Sequence, residues 1–202
     1  ENIKKRQKMY KNLVVLDKSQ HKDLKINSMD SLSFAKKTSI VTIVSDEILQ
    51  VGSTFPIVFA NEENGPTLSA IVSLGGDCLA INDEGKWITK YVPSFFMRYT
   101  FSLGHTKENP DQKIIVIDEA SHLLSISKGK QLFKKSGEKA DLLKDAIEFL
   151  TKYEDKMAST SVAAKLISQR GILENREITV GEGDEKKVLI KGFQVVSKEK
   201  LD

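Results

Sequence analysis

The residues whose types and spacing could do chemistry are Asp118, Glu119, Ser121 and His122, which close the run KIIVID and the turn after it. Two adjacent carboxylates and an imidazole can share general acid–base work when their surroundings push their pKa values apart. Ser121 and His122 are neighbours in the chain, but a nucleophile and its base must be joined by a side-chain hydrogen bond, which adjacency alone does not provide. The plainer reading is preferred: a strand-end turn in which Asp118 caps the following segment and His122 is exposed.

A second group lies in Trp87 to Phe101, WITKYVPSFFMRYTF, which holds six of the fourteen aromatic residues together with Arg98. A guanidinium can stack on rings while hydrogen-bonding in its own plane, so Arg98 is a candidate contact for an anion or carboxylate beside an aromatic wall. An ion pair with Asp118, Glu119 or another acid, pinning this stretch to a sheet, is its preferred structural reading. Trp87, the only tryptophan, follows a Asp-Glu-Gly turn and with Tyr91 is a candidate partner anchor. Packing at the rim of the core is the simpler role for Trp87. Pro93 divides the stretch, because it disfavours helical geometry at Val92 and suits the first position of a short helix over residues 93–99. Phe95 and Tyr99 then share one face, with Arg98 close to it.

Other chemistries find no footing. His21, His105 and His122 are far apart and no HxH, HExxH or CxxC spacing occurs, so neither a metal nor any other cofactor is expected. No phosphate-cradling glycine motif or GxSxG is present. Cys78 is the single cysteine, which rules out an internal disulfide and reads as a small core residue. Thirty-one basic residues against twenty-eight acidic ones leave a formal charge of +3, largely interleaved, and nucleic acid is not an expected partner. The exception is Lys4, Lys5, Arg6, Lys8 and Lys11; residues 1–8 read as a disordered tail or cloning remnant before a single domain over 9–202. No apolar run approaches the roughly twenty residues of a membrane span. With no signal-peptide pattern the expected location is the cytoplasm, signal-independent export to the surface remaining an alternative.

The elements that must position these groups read as α+β. Residues 12–17, NLVVLD, have the pattern of a buried strand, and 40–44 of another. Ser45 is placed to cap a short helix through Gln50, with Asp46 and Glu47 in its first turn. PIVFA and TLSAIVSL flank the turn chemistry of Asn64, Gly65 and Pro66 as a hairpin, and residues 78–82 add a third strand to an antiparallel meander. After a turn at Asn109 and Pro110, KIIVID reads as a central strand. From about Lys139 to Arg170 Leu143, Ile147, Leu150, Tyr153 and Met157 recur at helical spacing, followed by Val162, Leu166 and Ile167, with Gly171 as the stop. The polar residues 158–161 are where that helix could bend. Residues 177–180 and 187–196 flank Gly181 to Asp184 as a second hairpin. The expected fold is a strongly curved, even barrel-like antiparallel sheet with one long C-terminal helix and short helices.

Taken together, the blocks NLVVLDKSQHKDLKI, PIVFA, WITKYVPSFFMRYTFSL, IDEASHLLS, LFKKSGEKADLLKDAIEFLTKYE and GILENREITV resemble the bacterial SapC family over nearly the whole chain from Met9. The most specific piece is YVPSFFMRYTF, where the family pattern is matched by Tyr91, Val92, Pro93, Arg98, Tyr99 and Phe101. Many relatives carry a proline after that tyrosine; here the residue is Thr100. The resemblance implies a setting among bacterial surface-layer loci, near outer-membrane receptors, flavin-dependent halogenases or cupin-type oxygenases, and supplies no catalytic residues. A transporter permease sharing the name is unrelated, and this chain lacks the spans a permease needs.

The expectation is therefore a non-enzymatic binding or assembly module that recognises a peptide, protein or glycan partner through Trp87, Tyr91, Arg98, Asp118, Glu119 and His122. The alternatives are an enzyme or substrate-presenting subunit in peptide modification using Glu119 and His122, and a self-assembling structural subunit. Sequence alone does not fix the oligomeric state.

Overall fold

The computed structural model describes residues 9–105, 112–181 and 186–201. The N-terminal tail over 1–8, the turn at Asn109 and Pro110 and most of the Gly181–Asp184 turn lie outside the described residues. The chain begins with strands β1 (Leu13–Val15), β2 (Lys25–Ile26) and β3 (Ile40–Thr42), followed by helix α1 (Ile48–Gly52). The hairpin strands β4 (Ile57–Glu62) and β5 (Gly65–Ile71) precede α2 (Ser94–Met97). Next come β6 (Phe101–His105), β7 (Lys113–Asp118), β8 (Leu124–Ser125) and β9 (Lys130–Gln131). The long helix α3 (Asp141–Gln169) and the strands β10 (Leu173–Val180) and β11 (Lys187–Val196) complete the order.

The architecture is α+β with antiparallel pairing, as its alternating short apolar runs and one long helical pattern require. Its strands are divided over three sheets, ordered β10-β11-β4-β5-β3, β1-β7-β6 and β8-β2-β9, none of which closes into a barrel among the described residues. The chain forms two compact units, both discontinuous in sequence: one gathers Ser31–Phe96 with Asp155–Asp202, the other Lys8–Asp30 with Met97–Glu154.

In the first unit the five-stranded sheet buries Ile40, Val58, Ala60, Ile71, Ile190 and Phe193 as one cluster. Each large aliphatic or aromatic side chain taken out of water there stabilises the fold by about 1.5–3 kcal/mol. The β4–β5 hairpin is paired from Ile57↔Ala70 to Glu62↔Gly65, with Gly65 at a φ of 112° where a side chain would be strained. The third strand of this meander is not 78–82. That segment turns, with Cys78, Leu79 and Ile88 N–H groups donating to Lys36, Val72 and Ala80 carbonyls in turn, so its hydrogen bonds are scattered over three partners rather than one ladder. Cys78 is nonetheless buried. The cap before α1 also differs. Glu47 folds back and accepts the Val44 N–H at 3.0 Å, the Ser45 N–H goes to Thr160 Oγ1 at 2.9 Å, and Asp46 pairs with Lys156 at 2.6 Å.

In the second unit β7 is the central strand of its sheet, but β1 is an edge, with Leu13 47% and Val15 54% exposed. A three-residue edge strand has one inward residue, Val14, and its apolar neighbours point the other way. The helix α3 runs unbroken through residues 158–161, where Ser159 Oγ and Thr160 Oγ1 donate back to the Asp155 and Lys156 carbonyls at 3.1 and 2.6 Å. Its buried face steps through Leu143, Leu150 and Tyr153 and then Thr160 and Ala164, leaving Val162 and Leu166 exposed. Three- and four-residue steps continued from Tyr153 reach Thr160 and Ala164, so position on the helix overrides the apolar character of Val162 and Leu166. Gly171, at a φ of 69°, ends the helix as expected. No helix among the described residues is long and apolar enough to cross a membrane.

An arginine stacked between tyrosines beside an apolar pocket

The short helix α2 begins after Pro93, whose carbonyl accepts the Phe96 N–H at 2.9 Å, and it ends at Met97. It is shorter than the 93–99 segment expected, since the chain turns at Arg98 and a Phe101 N–H to Arg98 carbonyl bond of 2.9 Å closes that turn into β6. The Tyr99–Thr100 peptide is cis. This turn sets Arg98 between two rings of the second unit, with Cζ 5.7 Å from the Tyr10 centroid and 5.4 Å from that of Tyr153. Both lie inside the range in which the face of a tyrosine attracts a cation.

Tyr10 also packs on a further ring. Its ring lies 5.9 Å from Tyr99 at 30°, and Tyr99 lies 6.0 Å from His122 at 29°. The Tyr10 hydroxyl donates to the Phe101 carbonyl at 2.7 Å, which fixes the ring. Burial pushes the Tyr10 phenol up to about 12, with the Arg98 charge working against that rise. Tyr153 in turn stacks on Phe149 at 6.4 Å and 27°.

Beside Arg98 opens a pocket of about 260 Å³. Met97, Arg98 and Phe101 form one wall, and α3 supplies Asp145, Ala146, Phe149 and Leu150. The helix residues fall at i, i+1, i+4 and i+5, a single stripe of α3. Leu150 and Phe101 are buried at its base, whereas Asp145 is exposed.

The strand end of β7 is organised differently. Asp118 is fully buried, and its carboxylate accepts the N–H groups of Lys11, Asn12 and Ala120 at 3.0, 2.8 and 3.2 Å. It thus caps its own turn and fixes the chain leading into β1. Glu119 accepts from Asn12 Nδ2 at 3.2 Å and faces His21 Nε2 at 3.2 Å. His122 is exposed and stacks on Tyr99. Glu119 and His122 therefore face separate partners, and neither lines the pocket at Arg98. Ser121 Oγ is 2.6 Å from Thr100 Oγ1 and accepts the Leu123 N–H at 3.2 Å.

Trp87 and Tyr91 belong to the first unit. Trp87 is half-buried, with Phe55 at 6.2 Å and Phe96 at 5.7 Å, and its indole N–H donates to the Tyr91 carbonyl at 2.9 Å. The Tyr91 hydroxyl donates to buried Glu47 at 2.7 Å, and that same oxygen accepts the Ser94 N–H at 2.7 Å. Burial first, and then the bond to Glu47, raise the Tyr91 phenol to about 12. No group of acidic, histidine or cysteine side chains that could hold a metal occurs among the described residues.

A family model described as SapC matches residues 16–202. The chain belongs to the SapC family. No curated protein and no solved structure matches it. All six residues singled out from the sequence lie inside the SapC match, whereas Tyr10, one face of the arginine stack, precedes it.

Sequence reasoning did not single out Tyr10, Tyr153 and Asp145 as neighbours of Arg98, or His21 as the partner of Glu119. Tyr10 sits among the basic residues read as the edge of a tail, and His21 has no metal-like spacing to mark it. Tyr153 and Phe149 are legible as one turn of an amphipathic helix, but helical spacing does not say what that face meets. Glu47, likewise, is visible only as a first-turn acid.

Proposed function

We propose that this SapC-family chain is a non-enzymatic binding or assembly module of a bacterial surface-layer or cell-surface system, recognising a peptide, protein or glycan partner. The observation that carries the reading is the Arg98 guanidinium held between Tyr10 and Tyr153 at the wall of an apolar pocket. A pre-positioned guanidinium with aromatic and aliphatic neighbours has the character of an interface anchor. The acid–base alternative has less support, because Glu119 is engaged by His21 and Asn12 while His122 stacks on Tyr99. In this reading Arg98 is the recognition residue, while Trp87 and Tyr91, which belong to the first unit, have chiefly packing roles.

Affinity capture from the native cell, using the full chain and its Arg98→Ala variant, tests the reading. The expected result is a partner retained by the unaltered chain and lost by Arg98→Ala, the two melting temperatures agreeing within a few degrees. Equal capture by both would remove Arg98 from recognition. Light scattering over a concentration series separates a partner-binding module from a self-assembling subunit, since the latter grows in mass with concentration.

A further inference from the structure

We propose that the open edge of β1 pairs antiparallel with the same edge of a second copy of this chain, across a two-fold axis at Val14. This goes beyond the binding-module reading and does not depend on Arg98.

The strand β1 is bonded to β7 through its even-numbered residues. The Leu16 N–H donates to the Ile115 carbonyl at 2.9 Å, and the Asn12 carbonyl accepts the Glu119 N–H at 3.0 Å. Main-chain groups alternate from side to side along an antiparallel strand, so the N–H and carbonyl groups of Leu13 and Val15 point away from β7. None of these groups has a hydrogen bond among the described residues. The Leu13 and Val15 side chains are also exposed, on one face of the strand. An edge with bare main-chain groups and apolar side chains is a template for another strand. The edge strand β10 shows the usual protection, with Glu174, Arg176 and Glu177 and two register shifts along its length. Over Leu13–Val15, β1 carries neither a charge nor a register shift.

The occupant is selected by the sequence of the strand itself, KNLVVLD. With Val14 opposite Val14, Leu13 of one copy faces Val15 of the other, so each open N–H meets an open carbonyl and the exposed side chains cover one another. Registers that set Leu13 on Leu13, or Val15 on Val15, would draw in the main chain of Lys11 or Asp17. Those groups are taken: the Lys11 N–H donates to Asp118 at 3.0 Å, and the Asp17 N–H and carbonyl are held by His21 at 3.0 and 2.9 Å. Charge sets the direction. Lys11 and Asp17 stand three residues to either side of Val14, so an antiparallel copy brings opposite charges to each end and a parallel copy brings like charges. Hydrogen bonds from Ser19 and Gln20 hold the Asp17 carboxyl below its usual range, which keeps it charged at neutral pH.

Two short strands make a small interface, and the expected dissociation constant is on the order of 100 µM. The two-fold contact uses up the edge, so association ends at two copies, unlike the open growth of a self-assembling subunit. Sedimentation equilibrium of the full chain from about 10 µM to about 1 mM should show the mass rising toward that of two chains and no further. Val15→Pro removes an outward N–H and leaves the β7 ladder intact, so it should weaken the dimer at least about tenfold with little change in melting temperature. Leu13→Lys combined with Val15→Lys should do the same by opposing like charges at exposed positions, and it carries the test if Val15→Pro does not fold. Val14→Cys sets two thiols in a non-hydrogen-bonded pair, with Cα atoms about 4.5 Å apart, where a disulfide fits. Oxidation should then link two chains, far faster than in Leu13→Cys, and buried Cys78 does not compete.

A chain that stays monomeric to about 1 mM, a mass that grows past two copies, or a dimer unweakened by both sets of β1 substitutions overturns the inference. A monomeric chain whose captured partner is lost with Val15→Pro also overturns it, and gives the edge to a strand of that partner. Dimerisation with no partner captured upholds the β1 pairing and sinks the binding-module reading. Capture that is lost with Arg98→Ala, from a chain that stays monomeric, does the reverse.

Discussion

Nε2 of His21 lies 3.2 Å from Oε1 of Glu119, across a separation of 98 residues. Nδ1 of the same ring sits 3.0 Å from the Asp17 N–H nitrogen and 2.9 Å from the Asp17 carbonyl oxygen, so the imidazole is held from both sides. Glu119 is thereby a tie between the N-terminal segment and the β7 turn. A double-mutant cycle of His21→Ala and Glu119→Ala should show a coupling of about 1 kcal/mol in urea unfolding, the scale of one side-chain hydrogen bond. Strict additivity of the two losses would show that the contact contributes nothing.

Trp87→Ala should destabilise the chain by about 2–4 kcal/mol, since it removes a ring packed on Phe55 and Phe96 and a hydrogen bond to Tyr91. Thermal unfolding followed by circular dichroism measures this. An unchanged melting temperature with lost partner capture would instead make Trp87 an exposed anchor.

Arg98→Lys preserves the charge and loses the planar stack. The expected cost is about 1 kcal/mol of stability, with partner capture reduced nearly as far as by Arg98→Ala. Full capture by Arg98→Lys would mean that charge alone suffices.

Tyr10 and Tyr91 both carry phenols raised to about 12 from an ordinary value of 10.0. Between pH 10 and 12 the unfolded chain gives up these protons while the folded chain holds them. Stability is therefore complete below pH 10 and falls as pH rises toward 12, on the order of 2 kcal/mol from Tyr10. Chemical denaturation across this window, with tyrosinate absorbance recorded in parallel, tests the sign; Tyr10→Phe should flatten the fall. A stability that rose with pH would contradict the burial of both phenols.

The hairpin β4–β5, the central strand β7, the long helix and the final hairpin were legible because each carries its own periodicity and turn residues, such as Asn64-Gly65 and Gly171. What escaped depends on contacts distant in sequence. Residues 78–82 form a short apolar run between turns like a strand, yet no neighbouring strand accepts them as a ladder. Leu13 and Val15 have the composition of a buried strand and stand at a sheet edge. The same limit applies to the site: Arg98 stands out by its aromatic company, but the rings that sandwich it come from Tyr10 and Tyr153, far away on either side.

The interleaved composition of the two units also governs how the chain must be made. Asn12 waits 106 residues for the Asp118 carboxylate that accepts its N–H. At about 5–20 residues per second on the ribosome, that is roughly 5–20 s in which Leu13 and Val15 have been synthesised but not paired. Ser31–Phe96 likewise emerges well before the Asp155–Asp202 segment with which it forms a unit. Neither unit is contiguous in the chain, so each can close only after its later segment, Met97–Glu154 for one and Asp155–Asp202 for the other, has been synthesised.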